Sequence, residues 1–200
     1  MTHEVQPDYI GAKMGMWLFL FTEILLFGGL FVLFAVHLSR YPAGFHAGSA
    51  TLSVPFGSAN TVVLITSSLT MALAVTAVQR GERRRTLALL GATVGLAGVF
   101  LINKFFEWSA KFQHGIYPGS EHMLEMEKGQ AAFYAMYYAM TGLHGLHVVI
   151  GMCVIAWVMG LVAAGRVHRD RFVTLENAGL YWHLVDLVWI YLFPLFYLVT

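Results

Sequence analysis

The chain has 200 residues, of which 58% are hydrophobic and only 12% are charged, and its formal net charge is +1. Soluble domains carry roughly a quarter of their residues as charged ones, so this composition excludes an ordinary soluble protein, and we expect no nucleic-acid partner. The single cysteine, Cys153, excludes a disulfide, a Cys-x-x-Cys-His haem attachment and a paired-thiolate copper centre.

Five apolar segments follow one another along the chain, at about 15–37, 56–79, 86–109, 132–163 and 177–199. Each is long enough to cross a hydrocarbon layer about 30 Å thick, and in lipid a helix is the economical way for one segment to satisfy its own backbone. The sequence therefore predicts an all-α polytopic membrane protein. We expect one domain over residues 1–200, formed by a bundle of five transmembrane helices.

Lysine and arginine are unevenly divided between the connecting segments, which predicts the orientation of the bundle. With a cytoplasmic N-terminus and an outer C-terminus, the inner segments hold eight of these residues and the outer loops three. The inner set is Lys13, Arg80, Arg83, Arg84, Arg85, Arg166, Arg169 and Arg171, and the outer set is Arg40, Lys111 and Lys128. Among the inner residues, Arg83, Arg84, Arg85 and Arg166 are candidate contacts for phospholipid headgroups, although "RGERRR" at 80–85 is also typical of a simple anchored turn.

Ionisable side chains inside the apolar segments are costly in lipid, so each is a candidate functional or pairing residue. At about 1.5 Å of rise per residue, most of these side chains fall into two layers, and opposite charges share a layer. The pattern favours a buried polar network over a metal site, and we expect no catalytic residue and no metal ligand in this chain. Its expected members are Glu23, His144, His147, His183 and Asp186, with Glu107 and Glu176 as further candidates. We expect His144 and His147 to be the partners of Glu23.

A haem held by two histidines is the competing interpretation of this pattern. His144 or His147 could face His183 from a neighbouring helix and supply the two axial ligands. However, Asp186 and Glu23 are expected near the same level, and carboxylates there suit a hydrogen-bonded network better than a haem pocket.

Several segments resemble subunit III of the haem–copper oxidases. "TGLHGLHVVIG" at 141–151 and "ENAGLYWHLVDLVWIYLFPLFYL" at 176–198 are similar to the last two helices of that family. "GMWLFLFTEILLFGGLF" at 15–31 resembles the helix that carries its buried, carbodiimide-reactive glutamate, with Glu23 at the matching position. "NTVVLITSSLTMA" at 60–72 and "FEW" at 106–108 agree with the two helices that follow. The chain is similar to the five-helix bacterial form.

The resemblance implies a non-catalytic subunit of a respiratory terminal oxidase in the bacterial plasma membrane. Such a subunit holds no haem or copper, which belong to partner subunits. It packs against catalytic subunit I, in a complex with electron-entry subunit II, binds structural phospholipid, and supports proton uptake and sustained turnover. "TEILLF" and "YWHLVDLVW" favour a cytochrome c oxidase. A quinol oxidase or nitric oxide reductase complex, and an independent haem-binding membrane protein, are the alternatives, and supercomplex partners stay open.

The first apolar segment is the predicted partner interface. Small residues let helices approach closely in lipid, where van der Waals packing must replace a hydrophobic driving force. The candidate contacts are Phe19, Phe27, Gly28, Gly29 and Phe31. The alternative is an aromatic surface that faces only lipid.

Overall fold

The computed structural model describes residues 9–199, and the regular secondary structure in that part of the chain is helical apart from one isolated bridge between His168 and Arg171. Five of the helices that it describes are long and apolar enough to cross a membrane. The predicted all-α architecture with five transmembrane helices is therefore confirmed. In chain order the elements are α1 (Tyr9–Arg40), α2 (Pro42–Ser49), α3 (Val54–Gln79), α4 (Arg83–Gln113), α5 (Glu121–Glu125), α6 (Lys128–Ala163) and α7 (Val173–Tyr197).

The long helices differ from the predicted segments mainly by continuing past the apolar stretch. α1 begins at Tyr9 instead of 15, and α6 begins at Lys128 instead of 132. With 36 residues, α6 is about 54 Å long, well beyond a hydrocarbon layer of about 30 Å. Hydropathy identifies only the apolar part of a helix, whereas helical hydrogen bonding continues through the polar residues at its ends.

Two short helices, α2 and α5, lie in connections where no helix was predicted. They are too short to carry an apolar membrane pattern, but local signals were present. Pro42 occupies the first position of α2, which suits proline because that residue needs no amide donor. Ser120 caps α5 by accepting a hydrogen bond from the Met123 amide at 3.2 Å.

The helices α3, α4, α6 and α7 form the body of the bundle, and α1 lies along its side against α6 and α7. Only 17% of the apolar window of α1 is buried, compared with 50% of that of α7. The buried residues of α1 are Leu20, Phe27 and Phe34, which recur every seven positions. That spacing gives a single narrow contact stripe, so most of the surface of α1 stays outside the core.

Two glycines allow α6 to touch its neighbours closely. A Cβ atom on Gly44 of α2 would lie 2.6 Å from the carbonyl carbon of Gly129, at the start of α6. A Cβ atom on Gly151 would lie 2.8 Å from the ring of Trp182 on α7. Any larger side chain at either position would force the helices apart.

Polar contacts show which helix ends lie together. The Lys13 ammonium of α1 donates to the Glu176 carboxylate of α7 at 2.9 Å, and the Arg83 guanidinium of α4 donates to the carbonyl of Ala163 at the end of α6. We call this end of the bundle, which holds Lys13, Arg83 and the other inner-set residues, the basic end. The ends of α4 and α7 and the start of α6 lie at the opposite end, where Glu107 accepts hydrogen bonds from Tyr137 and Tyr197.

Candidate functional site

The Glu23 carboxylate of α1 contacts the His147 imidazole of α6 in the interior of the bundle. Glu23 Oε2 and His147 Nε2 are 2.9 Å apart, and the two side chains are only 14% and 12% exposed. Phe27, one turn further along α1, packs its ring against the imidazole at a centroid distance of 5.3 Å. The structure thus brings together Glu23 and His147, two residues that the sequence analysis expected to meet.

The second nitrogen of His147 decides how many protons this pair can hold. Nδ1 lies 2.8 Å from the carbonyl oxygen of Leu143, and because a carbonyl only accepts, Nδ1 must donate. A hydrogen bond between Nε2 and Glu23 then requires one proton between the two groups. The pair is either an imidazolium with a carboxylate or a neutral imidazole accepting from a carboxylic acid. In both forms it stores one proton at the contact between α1 and α6.

His144 does not pair with Glu23, so that prediction is wrong. Its side chain is buried, with 1% exposure, and its ring lies 5.5 Å from that of Phe100 and 5.3 Å from that of Trp189. Neither ring nitrogen has a hydrogen-bond partner within residues 9–199. Residues three apart on a helix differ in direction by about 60°, so His147 faces α1 while His144 faces α4 and α7. Depth along the helix could be estimated from sequence, but this direction could not.

His183 and Asp186 form a separate polar group with α3 and do not extend the Glu23 pair. His183 Nδ1 lies 2.6 Å from the Ser68 hydroxyl. The hydroxyls of Ser67 and Ser68 are also near the buried Asp186 carboxyl, but Ser67 donates to the carbonyl of Leu64 and Ser68 is engaged by His183. In the described part of the chain neither carboxyl oxygen of Asp186 has a hydrogen-bond partner with good geometry.

The most completely paired buried charges lie near the opposite end of the bundle, in a group we call the Lys104 cluster: Lys104, Glu107, Tyr137 and Tyr197. The Lys104 ammonium donates to Glu107 Oε2 at 3.0 Å and to the hydroxyls of Tyr137 and Tyr197 at 3.0 and 3.1 Å. The two hydroxyls donate in turn to Glu107 Oε1 at 2.8 and 2.6 Å. The cluster uses all three ammonium donors and ties α4, α6 and α7 together.

Sequence reasoning missed this cluster because Lys104 was not among the ionisable residues considered inside the apolar segments. The structure continues α4 to Gln113, which puts Lys104 inside the bundle. Glu107 was a candidate member of the Glu23 network, and it belongs to the Lys104 cluster instead. A signal was available: a lysine and a glutamate three positions apart lie on one face of a helix, and such a pair within an apolar segment indicates mutual neutralisation.

The remaining candidate residues lie at the basic end. Glu176 accepts hydrogen bonds from Tyr9 at 3.1 Å and from Lys13 at 2.9 Å, on the surface and away from the Glu23 pair. Among the four arginines expected to contact lipid, Arg83 donates to the carbonyl of Ala163 and Arg85 pairs with Glu82 at 3.0 Å. Arg84 and Arg166 are exposed. Headgroup binding by these arginines stays a prediction.

The predicted partner residues lie on different faces of α1. Phe27 is 3% exposed and packs inside the bundle, so its assignment to an outer interface is wrong. Phe19 is 44% exposed, and Phe31 is half-buried with its ring 6.0 Å from that of Tyr191. A Cβ atom on Gly28 or Gly29 would meet nothing within 4 Å, so this side of α1 is open to a neighbour.

Comparisons with known proteins agree with this architecture. The family model for cytochrome c oxidase subunit III matches residues 2–200. Cytochrome bo(3) ubiquinol oxidase subunit 3 of Pseudomonas aeruginosa is 30% identical over 98% of this chain and 92% of its own length. Cytochrome c oxidase subunit 3 of Synechocystis is 32% identical over 98% of this chain and 78% of its own.

A third relative is longer. Heme-copper oxidase subunit I+III of Aeropyrum pernix is 30% identical over 94% of this chain, which covers 22% of that protein. Since the family model matches almost the whole length and the five long helices follow the resemblance in order, this chain belongs to the subunit III family of the haem–copper terminal oxidases.

Proposed function

We propose that this chain is a non-catalytic subunit III, which stabilises the catalytic subunit of a terminal oxidase, supports proton uptake and carries no redox cofactor itself. The observation that carries the proposal is the use of its buried charges. Glu23 pairs with His147, and Lys104 pairs with Glu107 and two tyrosines. These groups join helices of the chain to one another, which is the chemistry of a scaffold.

The partners that we propose are catalytic subunit I, electron-entry subunit II and membrane phospholipid. The exposed side of α1, with Phe19 and the Gly28–Gly29 pair, is the surface assigned to subunit I. The Aeropyrum relative supports subunit I as a partner, because its name places subunits I and III in one protein.

The Glu23 pair is the element through which this subunit would support proton uptake. It holds one proton between α1 and α6, and α1 is the helix that we assign to the partner contact. A proton held there can bias the position of α1 against the catalytic subunit without any redox chemistry in this chain.

Cytochrome c is the electron donor that the motifs of α1 and α7 favour. A quinol oxidase is the second candidate, which the ubiquinol oxidase subunit of Pseudomonas supports. A nitric oxide reductase complex is a further alternative.

The proposed location is the bacterial plasma membrane, with the N-terminus in the cytoplasm. All eight basic residues of the inner set belong to the basic end, whereas Lys111 at the opposite end is buried. The exposed basic residues of the outer set are therefore Arg40 and Lys128, which sharpens the asymmetry that orients membrane proteins.

Purification through an affinity tag on this chain tests the proposal. We expect subunits I and II and their haems to co-purify, and the chain separated from them to show no haem absorption. A Soret band stoichiometric with the isolated polypeptide would instead support an independent haem-binding protein. The cytochromes or quinol activity of the captured complex would identify the donor.

A further inference from the structure

A cavity of about 380 Å³ opens at the opposite end of the bundle, between the start of α3 and the end of α4. This volume lies within the range of about 300–1,000 Å³ that is typical of small-ligand sites. The lining residues that matter here are Ser53, Phe56, Phe106, Glu107, Lys111 and His114. The cavity is far along the bundle from the arginines of the basic end.

Lys111 supplies this cavity with an ammonium group that has no polar partner among the residues the structure describes. The residue is only 8% exposed, and its nitrogen lies 5.6 Å and 5.7 Å from the ring centroids of Tyr134 and Tyr137. Within residues 9–199 it makes no hydrogen bond or ion pair, whereas Lys104, two turns earlier, uses all three of its donors. The residue lines the cavity, so an anion bound there could use the three free donors of its ammonium group.

The local charges do not balance. Lys104 and Lys111 carry two positive charges, and among the described residues Glu107 is the carboxylate that interacts with both. Glu107 already accepts bonds from Lys104, Tyr137 and Tyr197, so the excess positive charge lies on the cavity side at Lys111. A bound anion would compensate it.

The start of α3 also lines the cavity, through Ser53 and Phe56. The side chain of Ser53, the N-cap residue of α3, makes no capping hydrogen bond. Pro55 has no amide hydrogen, and the Gly57 amide already donates to the carbonyl of Ser53. The Lys111 ammonium is therefore the donor on which an anion site here depends.

Resting on the phospholipid partner of the proposed function, we propose that this cavity binds a phosphate group, with the Lys111 ammonium as its principal partner. Phosphate can come from a phospholipid headgroup or from a soluble anion, and the apolar walls favour the lipid. Phe56 and Phe106 are 41% and 61% exposed beside the opening, where they would contact an acyl chain. Lys111 lies two residues before the end of α4 at Gln113, at the level where headgroups meet the bundle.

Amine labelling of the intact oxidase complex, stripped of lipid in detergent, tests the proposal without any substitution. The reaction of Lys111 is compared with that of the exposed Lys128 by mass spectrometry after adding phosphatidylglycerol, diacylglycerol with the same chains, or inorganic phosphate. We expect phosphatidylglycerol to slow labelling of Lys111 about tenfold, because a charge-assisted hydrogen bond to the headgroup would occupy the amine. Diacylglycerol should not protect, and Lys128 should react equally throughout.

Comparing the three additions distinguishes a lipid headgroup from a soluble anion as the source of the phosphate. Protection by inorganic phosphate as strong as that by the lipid assigns the site to a soluble anion, and protection by the lipid alone assigns it to a headgroup. Equal labelling of Lys111 in every arm, or equal protection by diacylglycerol, overturns the proposal.

Variants of the same complex give a second measurement. By native mass spectrometry, Lys111→Gln should bind phosphatidylglycerol about tenfold more weakly than the unsubstituted complex, and Lys111→Arg should retain binding through its guanidinium. Lys128→Gln removes the same charge from an exposed position at this end and should change nothing. Unchanged lipid binding in Lys111→Gln overturns the proposal, and the labelling result decides if that variant does not assemble.

Discussion

At the scale of the residue, polar partners stabilise the buried charges of the bundle, and the number of partners differs from one charge to the next. The Lys104 ammonium has three polar partners, and the Glu107 carboxylate opposite it accepts from the same groups. Glu23 and His147 form a simpler pair with one proton between them. Removing one member of a buried pair leaves the other charge without compensation. Because the two pairs differ in how many partners each charge has, we expect different losses of stability when each is broken.

Glu107→Gln should destabilise the chain strongly, because Lys104 would keep its charge and lose its carboxylate. We expect the free energy of unfolding to fall by about 3–5 kcal/mol, as for other broken buried pairs, measured by titration of the purified complex with denaturing detergent. Glu121→Gln is the matched control, since Glu121 is exposed at the same end. Equal midpoints for the two variants would show that the Lys104 cluster does not hold the helices together.

Glu23→Ala should loosen α1 while sparing the initial rate of oxygen reduction, because the proposed function assigns the chemistry to another subunit. The loss of stability should fall between about 0.6 kcal/mol, the mean for membrane hydrogen bonds, and about 3–5 kcal/mol, the cost of breaking a buried pair. Activity should decay faster during continuous turnover, as followed with an oxygen electrode. Thr22→Ala, at the exposed neighbouring position, should behave as wild type. Loss of haem or of initial turnover in a fully assembled Glu23→Ala complex would contradict this role.

At the scale of the element, α1 differs from the other long helices in how little of it the chain itself covers. Its contact stripe is one residue wide, at Leu20, Phe27 and Phe34. Two polar contacts reinforce it, one from Lys13 to Glu176 and one from Glu23 to His147. A helix held in this way keeps its place in the bundle while presenting a broad apolar surface outward.

Gly29→Leu should leave the fold of this chain unchanged and weaken its capture of the catalytic subunit. A Cβ atom at Gly29 meets nothing within 4 Å, but a leucine there would prevent a partner helix from approaching closely. The yield of catalytic subunit recovered with the tagged chain is the measurement. Gly95→Leu is the control, because Gly95 is an exposed glycine on α4 with the same open surroundings. Equal recovery with both variants would leave α1 as a lipid-facing surface.

At the scale of the whole molecule, the polar contacts between helix ends place the basic residues at one end of the bundle. The ion pair of Lys13 with Glu176 and the bond from Arg83 to Ala163 hold four helix ends together there. The burial of Lys104 and Lys111 leaves the opposite end with few exposed cations. This distribution is the basis for the proposed cytoplasmic N-terminus.

Cysteine labelling of intact cells would test that orientation. In a Cys153→Ala background, a cysteine introduced at exposed Glu121 should react with a membrane-impermeant maleimide, and one introduced at exposed Arg84 should react only after the membrane is opened. The two positions lie at opposite ends of the bundle. The reverse pattern would place the N-terminus outside.

Sequence alone predicted those parts of the site that depend on local chemistry. The apolar segments predicted five spanning helices because a bilayer requires a minimum apolar length. Glu23 and His147 were expected to meet because each is costly without a partner in lipid. His144 was misassigned because a depth estimate gives the position of a side chain along the helix axis but not its direction around the axis. Lys104 was overlooked because the apolar pattern does not show where its helix ends.

What the sequence by itself determined is therefore the class of the protein, the number of spanning helices and the need for its buried charges to find partners. Only the tertiary structure decided the partners. It turned His144 toward Phe100 and Trp189, and it brought Tyr197 at the end of α7 onto Lys104 of α4. The physical reason is that apolar length and charge are properties of a segment, whereas a hydrogen bond within about 3 Å depends on how whole helices rotate and pack.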